Sequence, residues 1–236
     1  MIPSLKNDAT EYQSRDEWLT LHSHNKTTIQ WSFAIFAVGF ALWHVATNLL
    51  INESPLWQNT IHFAGFAILA SVIYPARLFG RQSILFDLVY GLVAAWAACW
   101  VAASESRIYE DTLALTGQAW QFNVFDWTAG FVLIVAAIDF SRRVSGWVIP
   151  ILIILALSYI LILGEYLPGV FRAASLPLDD VLFRTIYNDE GLFGILANIS
   201  SSNITLFMIF GGFLVISGAS DFVIEVSKMV AGRIRG

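Results

Sequence analysis

Few side chains in this sequence can do chemistry, and most of those sit inside long apolar runs. His44 and Asn48 stand one helical turn apart in the first run. A polar side chain facing lipid is costly, so both are expected to face other helices. The pair reads as a hydrogen-bonded unit in a packing seam, with a proton relay as the alternative. Asp139 precedes Arg142 and Arg143 by three and four positions, the spacing at which helical side chains meet. That predicts an ion pair at a membrane edge, with the arginines snorkelling. Asp87, Asp126 and Glu165 lie near the ends of apolar runs, where a carboxylate reaches water. His22, His24 and His62 lack the spacing with carboxylates or cysteines that a metal site needs.

No GxSxG elbow, phosphate loop or HExxH helix occurs. The chain is therefore read as no enzyme, with no catalytic, cofactor-binding or metal-ligating residue assigned. Its one cysteine, Cys99, excludes an internal disulfide and lies in an apolar run, where a buried small side chain is expected.

These residues are positioned by a chain of 236 residues that is 57% hydrophobic and only 13% charged, with a mean hydropathy of +0.66. Soluble domains carry about 25% charged residues, so the composition implies an all-α integral membrane protein. The net charge of −5 and the absence of a basic stripe argue against nucleic acid as a partner.

About six transmembrane helices are expected, at Trp31–Ile51, Ile61–Phe79, Ile84–Ala103, Val124–Phe140, Trp147–Leu163 and Ile204–Gly218. Strict alternation, the mark of a membrane barrel, is missing. Residues 1–30 are polar. Ser14 to Glu17 fits a capping box ahead of Trp18, Leu19 and Leu21, so the segment reads as a cytosolic tail or an interfacial helix. Between the fifth and sixth spans, Leu178, Val181, Leu182 and Ile186 recur at helical spacing, which predicts a short helix on the outer surface.

Lys6, Arg15, Lys26, Arg77, Arg81, Arg142, Arg143, Lys228, Arg233 and Arg235 fall on one side of such a bundle, making 10 of the 13 basic residues. Only Arg107, Arg172 and Arg184 fall on the other. The positive-inside rule then places both termini in the cytoplasm.

The last stretch is distinctive. Gly211-Gly212 would permit close helix approach, Gly218 suits a helix-ending left-handed position, and Ser220 can cap a further helix. Phe222, Val223, Val226, Met229 and Val230 line one face of that amphipathic helix.

Leu206-Phe-Met-Ile-Phe-Gly-Gly-Phe-Leu, Gly218-Ala-Ser-Asp-Phe222 and Val230-Ala-Gly-Arg-Ile-Arg-Gly236 resemble the start of the large membrane subunit of tripartite ATP-independent periplasmic (TRAP) transporters. Tyr74-Pro75, Arg142-Arg143-Val-x-Gly146-Trp147-x-x-Pro150, Tyr166-Leu-Pro-Gly169 and Glu190-Gly-Leu-Phe-Gly194 are similar in register to fused permeases served by TAXI-type binding proteins. Asp139 stands where that family more often has Glu.

The resemblance implies a division into a 1–30 tail, a 31–145 four-helix scaffold, a 146–200 connecting span with its outer loop, and a 201–236 start of the large subunit, there truncated. It implies a secondary transporter of the cell inner membrane, importing an organic acid or similar solute. Sodium would be the coupling ion, and the partners would be the lipid bilayer, an extracytoplasmic TAXI-type solute-binding protein and the remainder of the large subunit. The family's substrate and sodium ligands lie beyond the last residue, so none is assigned to this chain. The alternative is a self-contained six-helix membrane scaffold without transport activity.

Overall fold

The computed structural model describes residues 28–51, 53–76, 84–113 and 120–234, and among these no strand occurs. The expected N-terminal capping box and the basic residues Lys6, Arg15, Lys26, Arg77, Arg81 and Arg235 lie outside the described residues.

The described residues form nine helices in succession: α1 Thr28–Leu49, α2 Pro55–Ile73, α3 Ile84–Ala103, α4 Glu105–Leu113, α5 Val124–Ser145, α6 Val148–Leu161, α7 Leu178–Ile186, α8 Ile195–Ile216 and α9 Ala219–Ile234. Five of them, α1, α2, α3, α5 and α8, are long and apolar enough to cross a membrane. The described residues are those of an all-helical membrane protein. Helix α6 is apolar but has only 14 residues.

Three spans differ from expectation. The second begins at Pro55 rather than Ile61, because Ser54 caps the helix by accepting from the Trp57 amide, with Pro55 in its first turn. Its opening residues Gln58, Asn59, Thr60 and His62 are polar yet buried inside the bundle. The last span begins at Ile195 rather than Ile204, and its first turns include a π-helical segment at Ser200–Ile204. The fifth stops at Leu161 and passes into a 3-10 turn at Leu163–Tyr166.

Helices α2 and α3 make the tightest pair. Small residues set the spacing, as hydrocarbon-embedded interfaces favour. A Cβ added at Gly91 would stand 2.9 Å from the Ala67 carbonyl oxygen and 2.3 Å from the Ser71 hydroxyl. Helix α5 packs on α3 through Ala129, Leu133 and Ala136, all buried.

The expected helix at Leu178–Ile186 forms, but it is no surface ornament. Val181, Leu182, Ile186 and the following Tyr187 are fully buried, and Leu182 sits against Gly130, 2.8 Å from where a Cβ would lie. Gly130 is two turns inside α5, so α7 plugs the bundle at that depth. The plug is locked from behind by Gly191, whose missing Cβ would stand 2.2 Å from the Thr185 carbonyl oxygen.

Gly218 takes φ +74°, ending α8 as expected. Ser220, in contrast, lies within α9, and the Ser217 hydroxyl accepts from the Ala219 amide instead. A Cβ at Gly211 or Gly212 would meet nothing within 4 Å, so neither marks a close helix contact here. Cys99 is exposed on the outer side of α3, not buried. A helix apolar all round gives no rotational clue from sequence, and the Ala97 and Ala98 face took the inward position.

Candidate functional site

The polar residues of α1, α2 and α8 converge into one seam. His44 and His62 bond directly, with His44 Nε2 and His62 Nδ1 2.8 Å apart. On its other side, His44 Nδ1 lies 2.8 Å from the Phe40 carbonyl oxygen, and His62 Nε2 lies 3.1 Å from the Ser200 hydroxyl. Both rings are buried and wrapped by Phe40 and Phe66.

The carbonyl fixes the polarity of this row. Because it can only accept, His44 Nδ1 carries a proton. In neutral His44 the other nitrogen then accepts, so His62 Nδ1 donates to it. His62 Nε2 accepts in turn, and the Ser200 hydroxyl donates. A proton added at His62 Nε2 would turn the Ser200 hydroxyl from donor to acceptor, and the bond between the rings would reverse only if a proton passed on to His44 Nε2. The row is thus a continuous run of hydrogen bonds that ends on a backbone carbonyl.

Beside it runs a second row. Asn48 Nδ2 donates to the His44 carbonyl at 2.8 Å and to the Ser201 carbonyl at 3.2 Å, and Gln58 Nε2 donates to Asn48 Oδ1 at 3.0 Å. The expected partnership of His44 and Asn48 therefore exists through backbone, while the side chain that pairs with His44 is His62. Asn59 Nδ2 donates to the Phe193 carbonyl at 2.8 Å, and the Ser201 hydroxyl donates to Asn59 Oδ1 at 2.7 Å.

The π-helical segment explains why α8 can be gripped this way. A π turn releases backbone groups from the i−4 ladder, and such turns concentrate at functional positions. Here the Thr205 hydroxyl donates to the Ser200 carbonyl at 2.7 Å, and Asn48 takes up the Ser201 carbonyl.

Two charged clusters sit at opposite ends of α5. At its start, Asp126 closes a capping box with Asn123. Asp126 Oδ1 also accepts from Trp100 Nε1 at 2.9 Å and pairs with Arg107 at 2.5 Å. Arg107 in turn lies 4.5 Å over the Trp120 ring. Tyr187 donates its hydroxyl to the Asp126 carbonyl at 2.8 Å. Burial raises the Tyr187 phenol strongly, and the Asp126 charge adds to that.

At the far end, Asp139 pairs with Arg142 and Arg143 at 2.6 Å each, as the spacing predicts. Arg143 is almost wholly buried. It also donates to the Tyr74 carbonyl at 2.9 Å, lies 3.3 Å from Asp87, and covers the Tyr90 ring at 4.9 Å. Asp87 additionally accepts from the Ala76 amide at 2.8 Å.

Asp87 and Asp126 are thus fully buried and paired, in contrast to the water contact that their places in the sequence suggest. Glu165 remains exposed and accepts from Ser175 at 3.2 Å. The sequence signal missed by local reading was the cluster Gln58-Asn59-Thr60-Ile61-His62, in which Asn59 and His62 bond to residues more than 130 positions away. Compared with protein-family models, with curated proteins and with solved structures, the chain matches none.

Proposed function

We propose that this chain forms the scaffold part of a binding-protein-dependent secondary transporter of the TRAP type, importing an organic acid or similar solute with sodium. The reading rests on the motif order from Tyr74-Pro75 to Gly232-Arg-Ile-Arg-Gly236, and one structural observation carries it further. The side-chain hydrogen bonds that tie α8 to α1 and α2 fall in its first turns, at Ser200 and Ser201. Beyond Thr205 it presents Phe207, Met208, Phe210, Phe213, Val215 and Ile216 outward.

Such an element suits a junction. Its anchored end belongs to the bundle of α1, α2, α3 and α5, while its apolar remainder, with the exposed face of α9 after it, suits contact with other membrane helices. In this reading the scaffold carries the motif-poor, static duty, and the polar seam holds α8 at a fixed height against it. The Arg142 and Arg143 end faces the cytoplasm, and the α4 and α7 end faces the binding protein.

The test is uptake by inner-membrane vesicles that contain the permease, with its secreted binding protein outside and a panel of labelled mono- and dicarboxylates. An inward sodium gradient should drive accumulation of at least one acid, and collapsing the gradient should abolish it. Accumulation of none, with the permease inserted and the binding protein loaded, would favour the self-contained scaffold instead.

A further inference from the structure

Helix α6 runs back along α5 from the Gly146–Trp147 turn. Its 14 residues give about 21 Å at 1.5 Å per residue, against roughly 30 Å of hydrocarbon. By rise alone it stops about 12 Å short of the first residue of the 22-residue α5.

There the chain folds back on itself. It makes two 3-10 turns, Leu163–Tyr166 and Gly169–Phe171, and doubles back on the helix end. The Ala173 amide donates to the Gly164 carbonyl at 2.9 Å, the Leu176 amide to the Ile160 carbonyl at 3.2 Å, and the Tyr159 hydroxyl to the Phe171 carbonyl at 2.9 Å. Carbonyls at the open end of a helix in hydrocarbon need such partners. Gly169, at φ +66°, makes the reversal possible.

The side chains on the outside of this loop are apolar. Tyr166 is 80% exposed, Val170 94% and Phe171 67%, continuing the exposed Ile162 and Leu163. Two exposed charges flank these side chains, Glu165, which accepts from Ser175, and Arg172, beside Phe171, and both can extend toward the headgroups.

The geometry points to a lipid-inserted loop. Ile162, Leu163, Tyr166, Val170 and Phe171 seat among the acyl chains of the leaflet at the α4 and α7 end, and they complete the crossing that α6 begins. Two observations select lipid as the occupant. The loop starts about 12 Å inside the slab defined by α5, and its apolar side continues the exposed, wholly apolar side of α6, where Leu152 and Leu155 stand.

Nitroxide labels test this in the whole chain, reconstituted in phosphatidylcholine–phosphatidylglycerol vesicles on a Cys99→Ala background. Single cysteines replace Val170 and Phe171, with Leu152→Cys on α6 as the lipid reference and Asp189→Cys as the water reference. Power saturation should show Val170 and Phe171 labels colliding several-fold more with oxygen than with a water-soluble nickel chelate, as at Leu152. Nickel accessibility matching Asp189 would overturn the inference. Protection of both labels from both quenchers would overturn it too, because it would mean that protein covers the loop.

Discussion

The Ser201 hydroxyl of α8 donates to Asn59 Oδ1 of α2 at 2.7 Å, joining positions 142 residues apart inside a membrane bundle. Asn59 uses its amide nitrogen at the same time on the Phe193 carbonyl. One fully buried side chain therefore sets both the entry of α8 and its first turns.

Asn59→Leu should leave the Ser201 hydroxyl and the Phe193 carbonyl without this partner. Buried hydrogen bonds between membrane helices are worth about 0.6–2 kcal/mol each, so a loss of about 1–3 kcal/mol is expected across the two. Unfolding in mixed micelles measures it. Asn48→Leu, whose partners are only partly buried, should cost less than Asn59→Leu.

Arg143 holds two carboxylates, a carbonyl and an aromatic face, whereas the more exposed Arg142 pairs with Asp139. Removing one partner of a buried pair costs about 3–5 kcal/mol, so Arg143→Gln should sharply reduce stability and yield. Arg142→Gln should stay within about 1 kcal/mol, the range of half-exposed pairs. Equal effects of the two would contradict the geometry.

Gly91→Leu should separate α2 from α3, since even a methyl would meet the Ala67 carbonyl at 2.9 Å. Overpacking of this kind costs about 1–3 kcal/mol. Gly211→Leu, with open space around it, should leave the stability of this bundle unchanged. Thermal unfolding of the two variants side by side decides.

Tyr187 gives an alkaline signature. Its phenol ionises near pH 10 when unfolded and higher in the folded protein, chiefly through burial. A raised pKa means that its contribution is complete below about pH 10 and is lost as pH climbs toward the folded value. Stability should therefore fall above about pH 10. Tyr187→Phe should flatten that fall while lowering stability at neutral pH by about 1 kcal/mol, through loss of the bond to the Asp126 carbonyl. Identical alkaline profiles for the two proteins would show that Tyr187 is not the group responsible.

Local features were legible in the sequence. Apolar runs located the spans, and the Asp139, Arg142 and Arg143 spacing named an ion pair that forms within one helix. The helix at Leu178–Ile186 was also legible, though not its place. What escaped depends on distant partners. Gln58, Asn59 and Thr60 resembled a loop, yet Gln58 bonds to α1, Asn59 to α8 and the chain leading into it, and Thr60 to carbonyls of its own helix. Asp87 and Asp126 resembled water-facing ends because Arg143 and Arg107 arrive from other helices. The rotation of α3 that exposes Cys99 had no signal in a uniformly apolar run. The extra turns of α8 were hidden by Ser200-Ser-Ser-Asn203, which forms a π segment only because the seam accepts its freed groups.

The central structural claim is that α8 is anchored to α2 at Asn59 and Ser201. Cysteines at both positions, on a Cys99→Ala background in native membranes, should cross-link under mild oxidation, while either alone should not. Failure to cross-link, with both thiols instead reacting freely with a bulky water-soluble maleimide, would contradict the seam and the placement of α8.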